Sequence, residues 1–345
     1  MPLRITINDI ARACGIGKST VARALSNHPH ANAQTRLMVL AKAEEMGYRP
    51  DPGLRVLAQH RWNKPYEEGP ALAVVVVGDR KMGRAWWGFR TPLDAAARKL
   101  GYHLNEFFTT DYPSLRKLGQ VIEARGIRGV IFLPVVEPLH GEAFDWSRFS
   151  AVSCGIGEFR LPIHSVDISF FSAVRMCWKQ CRASGYKRIG ACLYRLPGPD
   201  TNDSQRHAAV LYEQSLLPRG EAKIPIFKGA IGDDAAFIDW YEKHRPDAVI
   251  SLSAKAYWLL KDKGARVPED LGYCVVDLND GNEIGASGSM SQRGRVAEFS
   301  IHWLDQMLRT NELGLPAIAD EMFIEPVWSE GRTLPPVGDA IPVAL

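Results

Sequence analysis

No stretch of this 345-residue chain approaches the roughly 18 consecutive apolar residues that a membrane span requires, and its N-terminus lacks the uninterrupted apolar core of a secretory signal. Cysteine is sparse as well. The six thiols (Cys14, Cys154, Cys177, Cys181, Cys192, Cys274) form no CxxC pair and sit in apolar segments, which suits buried reduced thiols in a large cytosolic protein. Cys177 and Cys181 lie four apart, on one face of a helix, but no second ligand pair accompanies them, so a metal site is not expected. The chain has no GxSxG nucleophile elbow, no HExxH and no GxGxxG after its first strand, and its nine histidines are dispersed, His28 and His30 falling in a polar loop. These absences lead us to expect a cytoplasmic protein that is not an enzyme, uses no cofactor and does not enter the membrane.

Charge is unevenly distributed. Residues 1–64 hold ten Lys/Arg against four acids, a surplus of six positive charges, whereas the remainder carries a net charge of −3. A small cationic head on a mildly acidic body is the asymmetry expected of a nucleic-acid binder, because phosphate contacts need cations only on the face that touches DNA.

That head reads as three helices. Thr6 or Asn8 caps the first, with Ile7, Ile10, Ala11 and Ala13 inward and Gly15 where it must stop. The turn Gly15-Ile16-Gly17 has an apolar centre that plugs a helix-turn-helix, and the second helix, about Lys18 to Leu25, turns Val21, Ala24 and Leu25 inward. Lys18, Ser19, Ala22 and Arg23 then face outward, where a recognition helix meets base edges. Residues 32–46 form the third helix, with Asn32 as cap, a stripe of Val39, Leu40, Ala43 and Met46, and Gly47 as terminator. After Pro50 and Pro52, residues 53–59 make two turns of helix only when something docks on them. The string Gly15 to Thr20 mimics the end of a phosphate-binding loop, but Arg12 stands where the pattern needs glycine.

In the body, apolar runs alternate with amphipathic helical stretches. Strands are expected at 71–77, 103–108, 129–134 and 151–155, then at 188–194, 224–227, 248–252 and 273–276, with a helix over 293–308 and an extended segment over 322–328. Such alternation predicts two parallel sheets covered by helices, with ligands at the carboxyl ends of the strands. Thr91-Pro92-x-Asp94 resembles a fresh helix start, which predicts a break in the first long helix.

The head closely resembles that of the lac repressor (LacI) family. The resemblance is carried by Ile5-Thr6-Ile7-Asn8-Asp9-Ile10-Ala11, Gly15-Ile16, Thr20-Val21, Arg23-Ala24-Leu25, Thr35-Arg36, Gly47-Tyr48 and Pro50, in register and without insertion. It implies DNA contacts from Thr6, Lys18, Ser19, Thr20, Arg23, Asn27, Thr35, Arg36 and Arg55, and a minor-groove wedge from Leu57. Gly17 and Ala22 replace serines common in the family, removing two expected hydroxyl contacts to phosphate.

A looser likeness runs through the body, at Val166-Asp167, Gly185 to Ile189, Pro246-Asp247-Ala248, Val267 to Leu271 and Gln292. It implies an all-α helix-turn-helix head on an α/β, two-lobed body shaped like a periplasmic sugar-binding protein. The expected domains are a head over 1–50, a hinge helix and linker over 51–70, an N-lobe over 71–165 with 293–320, a C-lobe over 166–292 with 321–335, and a tail over 336–345.

In the cleft the resemblance implies that Arg206 forks to ligand hydroxyls and Asp277 accepts them. Trp86 or Trp87, Tyr194 and Trp258 are candidates for a flat apolar face, and Ser253 stands where the family carries an acid or amide. The partners implied are an operator in double-stranded DNA, a carbohydrate-like effector and a second copy of the chain. Two other readings remain open at this point: an enzyme with a targeting head, and a ligand-binding protein whose head no longer reads DNA.

Overall fold

The computed structural model describes residues 6–25, 32–46, 69–78, 87–135, 144–155, 157, 159–194, 201–230, 232–278 and 282–338. The chain divides into a small unit within residues 1–69 and a large one beginning at Pro70. The segment 53–59, Tyr48, the loop 80–86 and most of the linker and tail lie outside the described residues.

In the small unit, helices α1 (Ile7–Cys14), α2 (Lys18–Leu25) and α3 (Ala33–Glu45) enclose a core of Ile10, Ala11, Val21, Ala24, Val39 and Ala43. The start of α1 is fixed by Asp9, whose Oδ2 accepts from Thr6 N at 2.9 Å and from Thr6 Oγ1 at 2.6 Å. Gly15 ends the helix with φ of 65°, a left-handed conformation glycine adopts without a Cβ penalty. Ile16 packs against the core from the turn, and Asn32 Oδ1 accepts from Gln34 N at 2.9 Å.

Two expectations fail here. The inward stripe of α1 is Ile7, Ile10, Ala11 and Cys14, and Ala13, about 100° around the helix from Cys14, is exposed. Leu40 stands about 100° from Val39 for the same reason, and is 42% exposed.

The large unit contains two sheets. Its elements are β1 (Ala71–Val76), α4 (Trp87–Lys99), β2 (His103–Phe108), α5 (Leu115–Ala124), β3 (Gly129–Phe132), β4 (Ser150–Cys154), β5 (His164–Ile168), α6 (Phe170–Ala183) and β6 (Ile189–Cys192). They continue with α7 (Thr201–Ser215), α8 (Asp234–His244), β7 (Ala248–Ser251), α9 (Lys255–Asp262), β8 (Gly272–Val275), β9 (Ser287–Met290), α10 (Arg293–Thr310), β10 (Glu321–Ile324) and β11 (Val327–Ser329).

The first sheet has the order β10-β5-β4-β3-β1-β2 and is parallel throughout. The second, β11-β9-β8-β7-β6, is parallel except for β11. Strands covered on both faces read as unbroken apolar runs, and β1 with Leu72 to Val76 buried is the clearest case. α4 and α10 cover one face of the first sheet, and Leu118 and Ile122 of α5 the other. α6 and α7 pack on one face of the second, α8 and α9 on its opposite face.

The departures have local causes. Residues 224–227 make a single bridge, Phe227 to Cys192, rather than a strand, because Pro225 has no N–H to donate two residues before the one that bonds Ala191 O. α4 runs unbroken with Pro92 inside it.

β9 is a strand the sequence conceals, being Ser-Gly-Ser-Met. Its serines are buried but bonded, Ser287 Oγ accepting from Gly331 N at 3.1 Å and Ser289 Oγ donating to Val276 O. A Cβ at Gly288 would stand 2.1 Å from Val275 O, so only glycine fits.

β5 and β10 both belong to the first sheet. The chain therefore leaves the first lobe after Ile168 and again after Ile324, slightly later than the expected 165/166 and 320/321 boundaries. These two crossings touch, Ser169 N donating to Ile324 O at 3.0 Å. The third crossing is Ser291-Gln292, between β9 of the second sheet and α10, whose Val296, Ala297 and Ile301 pack on the first.

Candidate functional site

On the head, α2 presents Lys18 and Ser19 in its first turn and Arg23 in its last to solvent, while Val21 and Ala24 close the core beneath them. Arg23 Nε donates to Ser19 O at 3.3 Å, which holds the guanidinium along the outer face of the helix. Thr6 is exposed, and Thr20, Thr35 and Arg36 are half-buried. Asp9, an acid of this unit, is taken up by Thr6, whose hydrogen bonds hold its carboxyl below the usual range. Asn27, Arg55 and Leu57 lie outside the described residues.

In the body, a cavity of about 270 Å³ opens where the strands of the second sheet end. Tyr194 follows β6, Ser253 follows β7, Asp277 follows β8 and Ser291 follows β9, while Ile168 ends β5 of the first sheet and Phe170 opens α6. Carboxyl ends of parallel strands point their loops one way, so they converge on one space.

Arg206 enters this space from α7. Its Nη1 donates to Asp203 Oδ1 at 3.0 Å, its guanidinium lies 4.4 Å from the centre of the Phe170 ring, and its buried Nε has no hydrogen-bond partner. Burial lowers its pKa, and Asp203 opposes that shift. Tyr194 stands edge-on to Phe227 at 5.8 Å with its hydroxyl unbonded, and burial pushes that hydroxyl's pKa up. Ser253 Oγ accepts from Lys255 N at 3.3 Å, and its carbonyl accepts from Tyr273 Oη at 2.6 Å. Asp277 Oδ2 accepts from Arg293 Nη2 at 3.1 Å.

Tyr194, Arg206, Ser253 and Asp277 thus share one wall system, and Trp258 does not. Trp258 is 44% exposed on α9, with Lys261 Nζ 5.3 Å from its ring centre. It lies about 200° around the helix from the buried Ala256, and α9 instead turns Lys255 to the cavity. Trp86 and the side chain of Trp87 lie outside the described residues. The sequence reading missed Ile168, Phe170, Lys255 and Ser291. The signal for Ile168 was available in the apolar alternation before Phe170; Ser291 follows a strand with no such signal.

Residues 6–51 match the profile described as bacterial regulatory proteins, lacI family. The head is thus similar to those of the lacI family. Over 287 residues it is 26% identical to the uncharacterized HTH-type transcriptional regulator YkvZ of Bacillus subtilis (strain 168), covering 79% of this chain and 84% of that one. Its fold is shared with the transcriptional regulator CelR in complex with cellobiose, at TM-score 0.59 and 17% identity over 96% of this chain and all of that one. The lac repressor dimer bound to operator and the anti-inducer ONPF has the same fold, at TM-score 0.56 and 16% identity over 96% and 100% of the two chains.

Within this head, Gly17 is not required by packing. A Cβ there would meet nothing closer than Thr20 Oγ1 at 3.8 Å, so the missing side chain is a matter of contact chemistry rather than of fold.

Proposed function

We propose that this chain is a cytoplasmic, homodimeric transcription regulator, a repressor in its commonest mode, that reads a pseudopalindromic operator with paired heads. Its grip is set by a small effector in the cleft at the ends of β6 to β9. One observation carries the DNA reading: in a head matched to the lacI family over residues 6–51, Lys18, Ser19 and Arg23 project from one side of α2 above a sealed core. Thr6, Thr20, Asn27, Thr35, Arg36 and Arg55 add phosphate or base contacts, and Leu57 wedges the minor groove. No reaction is assigned to the body, which holds and senses.

The cleft suits a sugar or sugar derivative. A buried guanidinium with an unbonded Nε, an unbonded tyrosine hydroxyl and the Asp277 carboxylate offer donors and an acceptor around an apolar wall, the complement of a ring carrying several hydroxyls. Cellobiose in the CelR complex is a ligand of that class. Control is thermodynamic: the effector shifts DNA affinity by binding two lobe arrangements unequally.

Selection of bound fragments from a whole genome tests the first part, a preferred pseudopalindrome being the expected result. For the effector, thermal-shift screening against sugars and sugar phosphates is expected to return a hit whose effect disappears in Arg206→Ala. Leu57→Ala is expected to reduce specific binding far more than nonspecific binding, and equal loss of both rejects the wedge.

A further inference from the structure

Arg293 is the first residue of α10, so its backbone belongs to the first lobe, yet its guanidinium bonds Asp277 beyond the end of β8 in the second. Nη2 stands 3.1 Å from Asp277 Oδ2, and the two side chains are 21% and 28% exposed. Neither lobe makes this pair alone. The arginine passes over Gly88 of α4, where an added Cβ would lie 2.8 Å from Arg293 Nη1 and 3.3 Å from Cδ, so the absence of a side chain on α4 is what leaves its path open. Position 293 also directly follows the Ser291-Gln292 crossing, and Ser291 lines the cavity beside Asp277.

We propose that Arg293 is the positioning residue of the effector site: it fastens the Asp277 carboxylate across the cleft and so ties the state of that carboxylate to the separation of the lobes. A ligand donor strengthens the hold by orienting the carboxylate, whereas a ligand anion competes for the guanidinium and releases it. A half-buried pair at normal hydrogen-bond distance is strong enough to bias a two-state equilibrium and weak enough to be overridden.

The proposal rests on reading Asp277 as a ligand-facing carboxylate, but its test uses no ligand, so failure of the sugar assignment and failure of the fastening are distinguishable. In the full-length Cys14→Ser protein, nitroxides are placed at the exposed positions Lys117→Cys on α5 and Lys243→Cys on α8, one on each lobe, and their separations are measured by pulsed electron resonance. Arg293→Gln and Asp277→Asn are each expected to raise the ratio of long to short separations by roughly two- to five-fold. The exchanged pair Arg293→Asp with Asp277→Arg is expected to return the ratio toward that of the parent, which a purely structural role for either residue does not predict. Parent-like distributions in both single variants overturn the proposal. So does an exchanged pair that stays as displaced as the single variants.

Discussion

Asp203 and Arg206, one turn apart on α7, form an ion pair at 3.0 Å with side chains only 3% and 11% exposed. Two charges held so far from water stabilise each other only while both are present, and Arg206, which lines the cleft, keeps a buried Nε without a hydrogen-bond partner.

Removing one partner therefore has two separable effects. Asp203→Asn is expected to lower the unfolding free energy by on the order of 3 kcal/mol, since buried Arg206 loses its hydrogen-bonded counter-charge and keeps only the weaker influence of Asp277 and Asp167. Urea denaturation monitored in the body reads this directly. Arg206→Ala is expected to abolish the response to any effector found by screening while leaving effector-free DNA binding intact. An unchanged response to that effector removes Arg206 from the site.

Room at Gly17 gives a gain-of-function prediction. Gly17 O accepts from Thr20 N at 2.9 Å and Val21 N at 3.1 Å, the position of a helix cap, where a serine fits both the helix and a phosphate. Gly17→Ser is expected to tighten DNA binding by about five-fold, the worth of one hydrogen bond. Lys18→Ala is expected to weaken binding to the preferred operator more than to unrelated sequences, as loss of a base contact does. Titrations on operator and unrelated DNA at several salt concentrations check both, and a uniform loss with a smaller salt slope in Lys18→Ala assigns that residue to phosphate instead.

Alkaline pH is expected to destabilise the body. Burial pushes the thiols of Cys154 and Cys192 and the hydroxyl of Tyr186 up to about 12 each, against 9.0 and 10.0 for the free groups. The unfolded chain thus loses these protons first, so the stabilisation is complete below pH 9 and declines as pH rises from about 9 to 12. Denaturant midpoints at pH 8, 9.5 and 11 should fall in that order. Thiol titration of the native protein should find Cys14 alone, the other five being buried.

Acid acts on the head. Thr6 holds the Asp9 carboxyl below its ordinary 3.8, so this contribution is present above that value and is lost as pH falls through the depressed one. Thr6→Ala is expected to weaken the start of α1 at neutral pH and to flatten the acid limb. Amide exchange across α1 measures it; an acid limb like that of the parent shows that Asp9 is held by something else.

Much of the fold was legible because its strands and helices announce themselves locally. β2 lies at 103–108 as its pattern required, and Gly15, Ile16 and Asn32 occupy the turn and cap positions their chemistry suits. Residues 224–227 and β9 misled for complementary reasons: Pro225 spoils an apolar run that looks like a strand, while hydrogen-bonded serines make a strand from residues that look like a loop. In the cleft, Tyr194, Arg206, Ser253 and Asp277 were reachable because each sits near a strand end or on the helix that follows one. Trp258 misled because aromatic character near a strand end says nothing about which side of α9 it occupies.

The sequence by itself determined the cationic helix-turn-helix head, the two parallel sheets and the end of the sheets at which the cavity opens, because caps, apolar periods and charge balance act between near neighbours. Only the tertiary structure decided that β5 and β10 join the first sheet, that Arg206 is locked to Asp203, and that Arg293 reaches Asp277 over Gly88. The last of these depends on where separate elements come to rest: the clearance over one glycine and a 3.1 Å approach between side chains rooted in different lobes are set by packing, and residue spacing along the chain does not encode them.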